Sequence, residues 1–388
     1  MTPPPLATRT QPFIESVIRE MTRLAEEHDA INLSQGLPDF DPPEPVRDAA
    51  VEALRRGANQ YSFTWGDPRF RAAIAEKYRR DNGLEVDPER EVTVTCGVSE
   101  GVVAAVLALS DPGDEAIILE PYYENYVPAC LMAGLIPRYV SLRPPAYALD
   151  PDELEAAWSP RTRLLLLTNP DNPTGRVFRR EELAAIADFC VRRNVIAVVD
   201  EIYEYITYGE HRHTSLATLP GMAERTVTVS GLGKSYAVTG WRVGWTVAAP
   251  PLTALIRKAH DYLTICAPTP FQVAGITALR LPPAYYDQLR ADYHRRRAIL
   301  LEALKAAGFS FTPPQGAYYV MAEITPFGFA DDWAFATHLV REIGVAVVPG
   351  SSFYHRPADG AQAVRFTFAK RESTLREAAR RLARLQRR

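Results

Sequence analysis

The sequence predicts an α/β architecture, a mainly parallel central sheet flanked by helices, with a smaller α+β domain attached. Three observations predict it. Short apolar runs, often β-branched, recur at 91–96 (EVTVTC), 115–121 (EAIILEP), 163–170 (RLLLLTNP), 195–201 (VIAVVDE) and 225–231 (RTVTVSG). Strands without polar alternation are buried on both faces, as a parallel sheet between two helical layers requires. Helical segments such as SEGVVAAVLAL (99–109) and REELAAIADFCVRRN (180–194) lie between several of them. From about residue 275 the pattern changes: a long helical stretch (285–308) is followed by the strand-like segments AYYVMAEI (317–324) and AVRFTFAK (363–370).

In chain order, residues 1–12 read as an N-terminal arm. Residues 13–29 carry apolar positions at helical spacing, and PDFDPPEPV (38–46) is an extended, proline-rich entry to the next helix. The large α/β domain is expected over 41–274, and the small domain from 13–40 together with 275–388. The basic tail from 371 has apolar residues at helix spacing and reads as an amphipathic helix.

Composition narrows the function. The chain has 388 residues, 47% hydrophobic and 23% charged, in the range of ordinary globular domains. A formal net charge of −3 gives no general attraction to nucleic acid or an anionic membrane, so small molecules are the expected partners. The four cysteines, Cys96, Cys130, Cys190 and Cys266, form no CxxC pair and suggest neither a zinc site nor a disulfide framework. HRH at 211–213 lacks an evident third ligand, so no metal is expected. The proline-rich start and the absence of a long apolar run lead to the expectation of a cytoplasmic protein.

Chemistry is expected where an open parallel sheet binds ligands, at the carboxyl ends of its strands. Polar groups gather there: Asn172 after RLLLLTNP, Asp200 and Tyr203 after VIAVV, and Lys234 after RTVTVS. EVTVTC runs into GVSEG (97–101) at the start of a helix, whose free N–H groups suit an anion. Gly233, Lys234 and Ser235 alone imitate a phosphate loop. That pattern needs a glycine at 228, where threonine stands. The set matches the needs of pyridoxal 5'-phosphate instead. A lysine forms an imine with the cofactor aldehyde, an acid keeps the pyridine nitrogen protonated, and hydrogen-bond donors settle the ring oxygen. A helix N-terminus and an arginine hold the phosphate, and a second arginine can grip a substrate carboxylate with two prongs.

NPDNPTG (169–175), DEIY (200–203), GLGKSYAVTGWRVG (231–244) and VRF (364–366), in that order, resemble the class I aminotransferases of the fold-type I pyridoxal-phosphate enzymes. The resemblance runs from about Ile31 to Lys370. NLSQGLPDF, NQYSFTWG, EPYYENY and PPQGAYYV are similar to the branch of kynurenine, glutamine and methionine aminotransferases. The resemblance implies Lys234 as the lysine joined to the cofactor and the base at the substrate α-carbon, with Asp200 on the ring nitrogen. It implies Asn172 and Tyr203 on the ring oxygen and Tyr123 stacked on the ring. Val98, Ser99, Glu100, Arg242 and Ser230 would serve the phosphate, and Arg365 the substrate carboxylate, near Gly36, Asn172 and Ile18. Tyr61 would reach the phosphate of a partner subunit, so a homodimer is implied.

Three departures stand out. Gly231 occupies the place of a phosphate-touching serine, Ile18 that of a tryptophan, and Ile265 and Cys266 those of Phe and His. The changes at Ile18 and at Ile265 and Cys266 remove aromatic walls, so the implied substrates are named only as an L-α-amino acid and a 2-oxo acid, exchanged by a ping-pong mechanism. The same residues would also serve a carbon–sulfur β-lyase, an oxidase or a cyclase. A cofactor-sensing transcription regulator would need an added DNA-binding module, for which the resemblance leaves no room.

Overall fold

The computed structural model describes residues 8, 10–13 and 15–385, so most of the expected arm over 1–12 lies outside the described residues. The first helix is Val17–Glu27. It begins later than the apolar spacing from residue 13 suggests because the Ser16 hydroxyl accepts from the Arg19 N–H and caps it. A two-residue strand, β1 (Ile31–Asn32), follows.

The central sheet contains β2 (Val92–Thr95), β3 (Glu115–Glu120), β4 (Ile136–Ser141), β5 (Thr162–Thr168), β6 (Ile196–Asp200), β7 (Thr226–Gly231) and β8 (Gly244–Val247). Their order is β2-β8-β7-β6-β5-β3-β4. β3 to β7 pair in parallel, whereas β8 runs antiparallel to both β2 and β7. The packing explains the unbroken apolar runs. Ile117, Leu165, Leu167, Ala197 and Val199 face one core with Leu183 and Ile186 of the helix Arg180–Arg193. Their strand neighbours Ile118, Leu164, Leu166 and Val198 face another with Ala104, Ala105 and Val106 of the helix Gly97–Leu109. Both sets of alternate residues are buried, so neither can be polar.

Two strands escape the apolar-run reading. β4 (IPRYVS) is an edge strand carrying proline and arginine, as sheet edges tolerate. β8 lies within the motif-bearing stretch after Lys234 and is only four residues long.

Beyond the helix Pro283–Ala307 come β9 (Ser310–Phe311), β10 (Tyr319–Glu323), β11 (Val345–Ala346), β12 (Val348–Pro349) and β13 (Ala363–Thr367). β12-β13-β10-β9 form an antiparallel sheet, and β11 pairs in parallel with β1, tying the early chain to the late one. The helix Glu372–Leu382 buries Leu375, Ala378 and Leu382. No helix among the described residues is long and apolar enough to cross a membrane.

Candidate active site

Register places the key residues side by side. Thr168, the last residue of β5, pairs with Asp200, the last of β6, and Asp200 pairs with Val229 on β7. The chain leaves β5 toward Asn172, and β7 toward Lys234. A cavity of about 550 Å³ opens at this edge, within the size range of small-ligand sites. Its walls include Gly36, Val98, Ser99, Tyr123, Asn172, Asp200, Tyr203, Lys234, Arg242 and Ile18 of the residues singled out from sequence.

Asp200 is strongly perturbed. Burial pushes its carboxyl up to about 7, against the opposing pull of the Ile202 N–H, which donates to Oδ1 at 3.0 Å, and of the Lys234 charge. Tyr126 donates to Oδ2 at 3.4 Å and shares a 2.6 Å bond with Thr168. An acid left poised near neutrality lacks a cation at full contact. The Lys234 ammonium lies 5.9 Å from the centre of the Tyr203 ring and 5.8 Å from that of Tyr318. The Tyr203 and Tyr319 hydroxyls are 3.2 Å apart, and burial holds the Tyr203 phenol well above its ordinary pKa, so it keeps its proton.

The anion nest is built by a backbone turn. Gly97 opens the helix Gly97–Leu109 with φ +78°, and a Cβ there would meet Arg242 Nη2 at 2.4 Å. Only glycine lets the guanidinium lie against the helix N-terminus. Arg242 donates to Thr239 O at 3.0 Å and Cys96 O at 3.5 Å. The Ser99 hydroxyl accepts from Asn125 Nδ2 at 3.1 Å.

Four of the expected residues stand apart from the cavity wall. The Glu100 carboxylate turns away: it accepts from the Cys96 N–H and, at 2.6 Å, from His260 Nδ1. It offers the cavity no side-chain donor, which corrects that part of the reading. Ser230 is buried within β7. Tyr61 is 76% exposed on the surface. Arg365 lies fully buried behind Asn172, donating Nη1 to Asn172 Oδ1 and Nη2 to Ser34 O, each at 2.8 Å, and its Nε–H has no partner. The departure at Gly231 also has a physical reason. A Cβ there would meet Val243 O at 2.8 Å and the Gly244 Cα at 2.9 Å across the β7–β8 pair, so serine does not fit.

Several wall residues were not read from sequence: Ser16, Arg19, Gln35, Glu124, Asn125 and Tyr319. Gln35, Glu124, Asn125 and Tyr319 do sit in stretches that resemble the family, but Ser16 and Arg19 come from the start of the first helix. His213 of HRH bonds Glu201 at 3.1 Å.

A doubly covered parallel sheet with these groups along one edge has the layout of the fold-type I pyridoxal-phosphate enzymes. The model of the family described as aminotransferase class I and II matches residues 28–382, and the chain belongs to that family. It is 41% identical to N-succinyldiaminopimelate aminotransferase from Mycobacterium tuberculosis, whose solved structure superposes with a TM-score of 0.96 over 98% of this chain and 100% of that one. It is 39% identical to the methionine aminotransferase of Escherichia coli over 95% of this chain and 96% of the relative. It is 36% identical to human kynurenine–oxoglutarate transaminase 1, covering 92% of each.

Proposed function

We propose that this chain passes the amino group of an L-α-amino acid to a 2-oxo acid in a ping-pong cycle, with Lys234 as the residue that holds the cofactor and moves the substrate proton. The observation that carries the reading is that the buried Asp200 carboxyl, held near 7, shares one cavity with Lys234. Pyridoxal phosphate, when bound, supplies an electron sink for the pair left behind when the amino acid loses its α-proton.

The residues fit that group. A cationic ring nitrogen against Asp200 would provide the positive partner that burial denies it, and would return the carboxyl to its ionised form. Asn172 and the protonated Tyr203 phenol would donate to the ring oxygen. Tyr123 would cover a ring face. The N–H groups at Val98 and Ser99, with Arg242, would hold the phosphate at the helix N-terminus. Glu100 would contribute through its backbone alone, and Ser230 from within β7.

Arg365 has five N–H donors and spends two on Asn172 and Ser34. The three that remain, the orphaned Nε–H among them, would bind the α-carboxylate of any amino acid substrate. The Lys234 amine, once free, would be the base that takes and returns the proton of the substrate α-carbon. Ile18 and Gly36 would border the side chain.

We further take Tyr61, which is exposed in the single chain, to serve the phosphate of a second copy in a homodimer. The division into a large domain over 41–274 and a small one from 13–40 and 275–388, and a cytoplasmic location, belong to the same reading. The test is a panel of amino acids and 2-oxo acids offered to purified protein one at a time, followed by cofactor absorbance. Stoichiometric, reversible conversion by each partner alone is expected. Continued release of ammonia and a 2-oxo acid without an acceptor would contradict it.

A further inference from the structure

Behind the anion nest lies a buried pair that the proposed function leaves unused: Glu100 and His260, whose side chains are 9% and 0% exposed. Glu100 stands in the first turn of the helix Gly97–Leu109, and its Oε2 accepts from the N–H of Cys96, the residue that caps that helix. His260 comes from the last turn of a second helix, Pro250–Leu263. A helix C-terminus carries negative partial charge and favours a cation there.

The hydrogen bonds fix the charge of the pair. His260 Nε2 faces the backbone oxygen of Thr64 at 2.7 Å, and Nδ1 faces Glu100 Oε1 at 2.6 Å. Thr64 O can only accept, so Nε2 carries a hydrogen, and the short contact between Nδ1 and Oε1 needs a second one. Whichever of those two atoms holds it, the pair as a whole is neutral.

Neutrality matters because of where Glu100 stands. The proposed function puts a phosphate dianion at the N-terminus of the same helix, against Val98, Ser99 and Arg242, and like charges repel strongly where water is scarce. The Glu100 charge is felt at that turn: after burial, it is the next cause that raises the Cys96 thiol. An unpaired Glu100 would therefore oppose the phosphate.

We propose that His260 is a positioning residue for the cofactor: by balancing Glu100 it keeps the nest electropositive, so that the site prefers a phosphorylated pyridoxal to a bare one. This rests on the cofactor reading above. The Glu100 carboxylate holds the Cys96 N–H and so shapes the turn, while His260 cancels its charge. His260 acts on the phosphate only through Glu100.

The experiment measures binding of inorganic phosphate, pyridoxal 5'-phosphate and pyridoxal to cofactor-free protein by calorimetry, in wild type, His260→Gln, Glu100→Gln and the double variant. His260→Gln leaves Glu100 charged and is expected to weaken phosphate and pyridoxal phosphate by roughly three- to thirtyfold, with pyridoxal unchanged. The double variant, again without net charge at the pair, should recover most of that loss. Glu100→Gln should hold phosphate at least as tightly as wild type. Equal losses for all three ligands, a double variant no better than His260→Gln, or a Glu100→Gln that loses phosphate affinity overturns the proposal. If His260→Gln does not fold, Glu100→Gln decides alone. A wild type that binds inorganic phosphate but not pyridoxal phosphate sinks the cofactor reading, and the inorganic phosphate series still decides the role of His260; a wild type that binds neither overturns both.

Discussion

Arg365 Nη1 donates to Asn172 Oδ1 at 2.8 Å, joining β13 of the late antiparallel sheet to the loop that leaves β5 of the central one. The bond fixes the guanidinium while leaving its Nε–H free. In Arg365→Lys the charge remains, but the fork is lost. Measured kcat/KM should fall for all amino acids alike, by roughly ten- to a hundredfold and mainly through KM. A fall confined to diacids would assign Arg365 the wrong end of the substrate.

Asp200 makes the cofactor-free protein sensitive to pH. Its folded value of about 7 lies above the ordinary 3.8, so the folded state keeps a proton that the unfolded chain releases. Stability from this group is complete below 3.8 and is lost as pH rises toward and through 7. Asp200→Asn should remove that loss, by on the order of a few kcal/mol at pH 8. Urea denaturation of cofactor-free wild type and variant at pH 4 and pH 8 measures it. The same variant should bind cofactor more weakly. Parallel curves at both pH values would count against a neutralised Asp200.

His260 behaves oppositely. Its Nε2 lies 2.7 Å from Thr64 O and its Nδ1 2.6 Å from Glu100 Oε1, two acceptors that an imidazolium satisfies together. Burial alone would lower its pKa, but the hydrogen bond and charge of Glu100 outweigh it, and the net shift is upward from 6.5. The stabilisation is full below 6.5 and fades as pH rises through the raised folded value. Asp261 adds to the same direction. The stability difference between wild type and His260→Gln should therefore be larger at pH 6 than at pH 9. A difference independent of pH would mean that the ring is neutral.

The strand-end chemistry was legible because strand, loop and functional residue are contiguous: Asp200 ends its own strand, and Lys234 stands three residues beyond β7. β4 and β8 were not, because an edge strand need not be apolar and a four-residue strand leaves almost no pattern. Arg19, Glu124 and Tyr319 meet the cavity only through tertiary packing of distant segments, which no local period records. The direction of the Glu100 side chain is set in a related way. Its spacing puts it at the nest, but His260, 160 residues away, decides where its carboxylate points.

The central claim is that one amine, Lys234, holds the cofactor. Purified protein reconstituted with pyridoxal phosphate is reduced with borohydride, digested, and the modified peptide sequenced by mass spectrometry. The account predicts a single pyridoxyl adduct, on Lys234, and none in Lys234→Ala. An adduct on another lysine with Lys234 unmodified, or a folded protein that binds no cofactor, would contradict it.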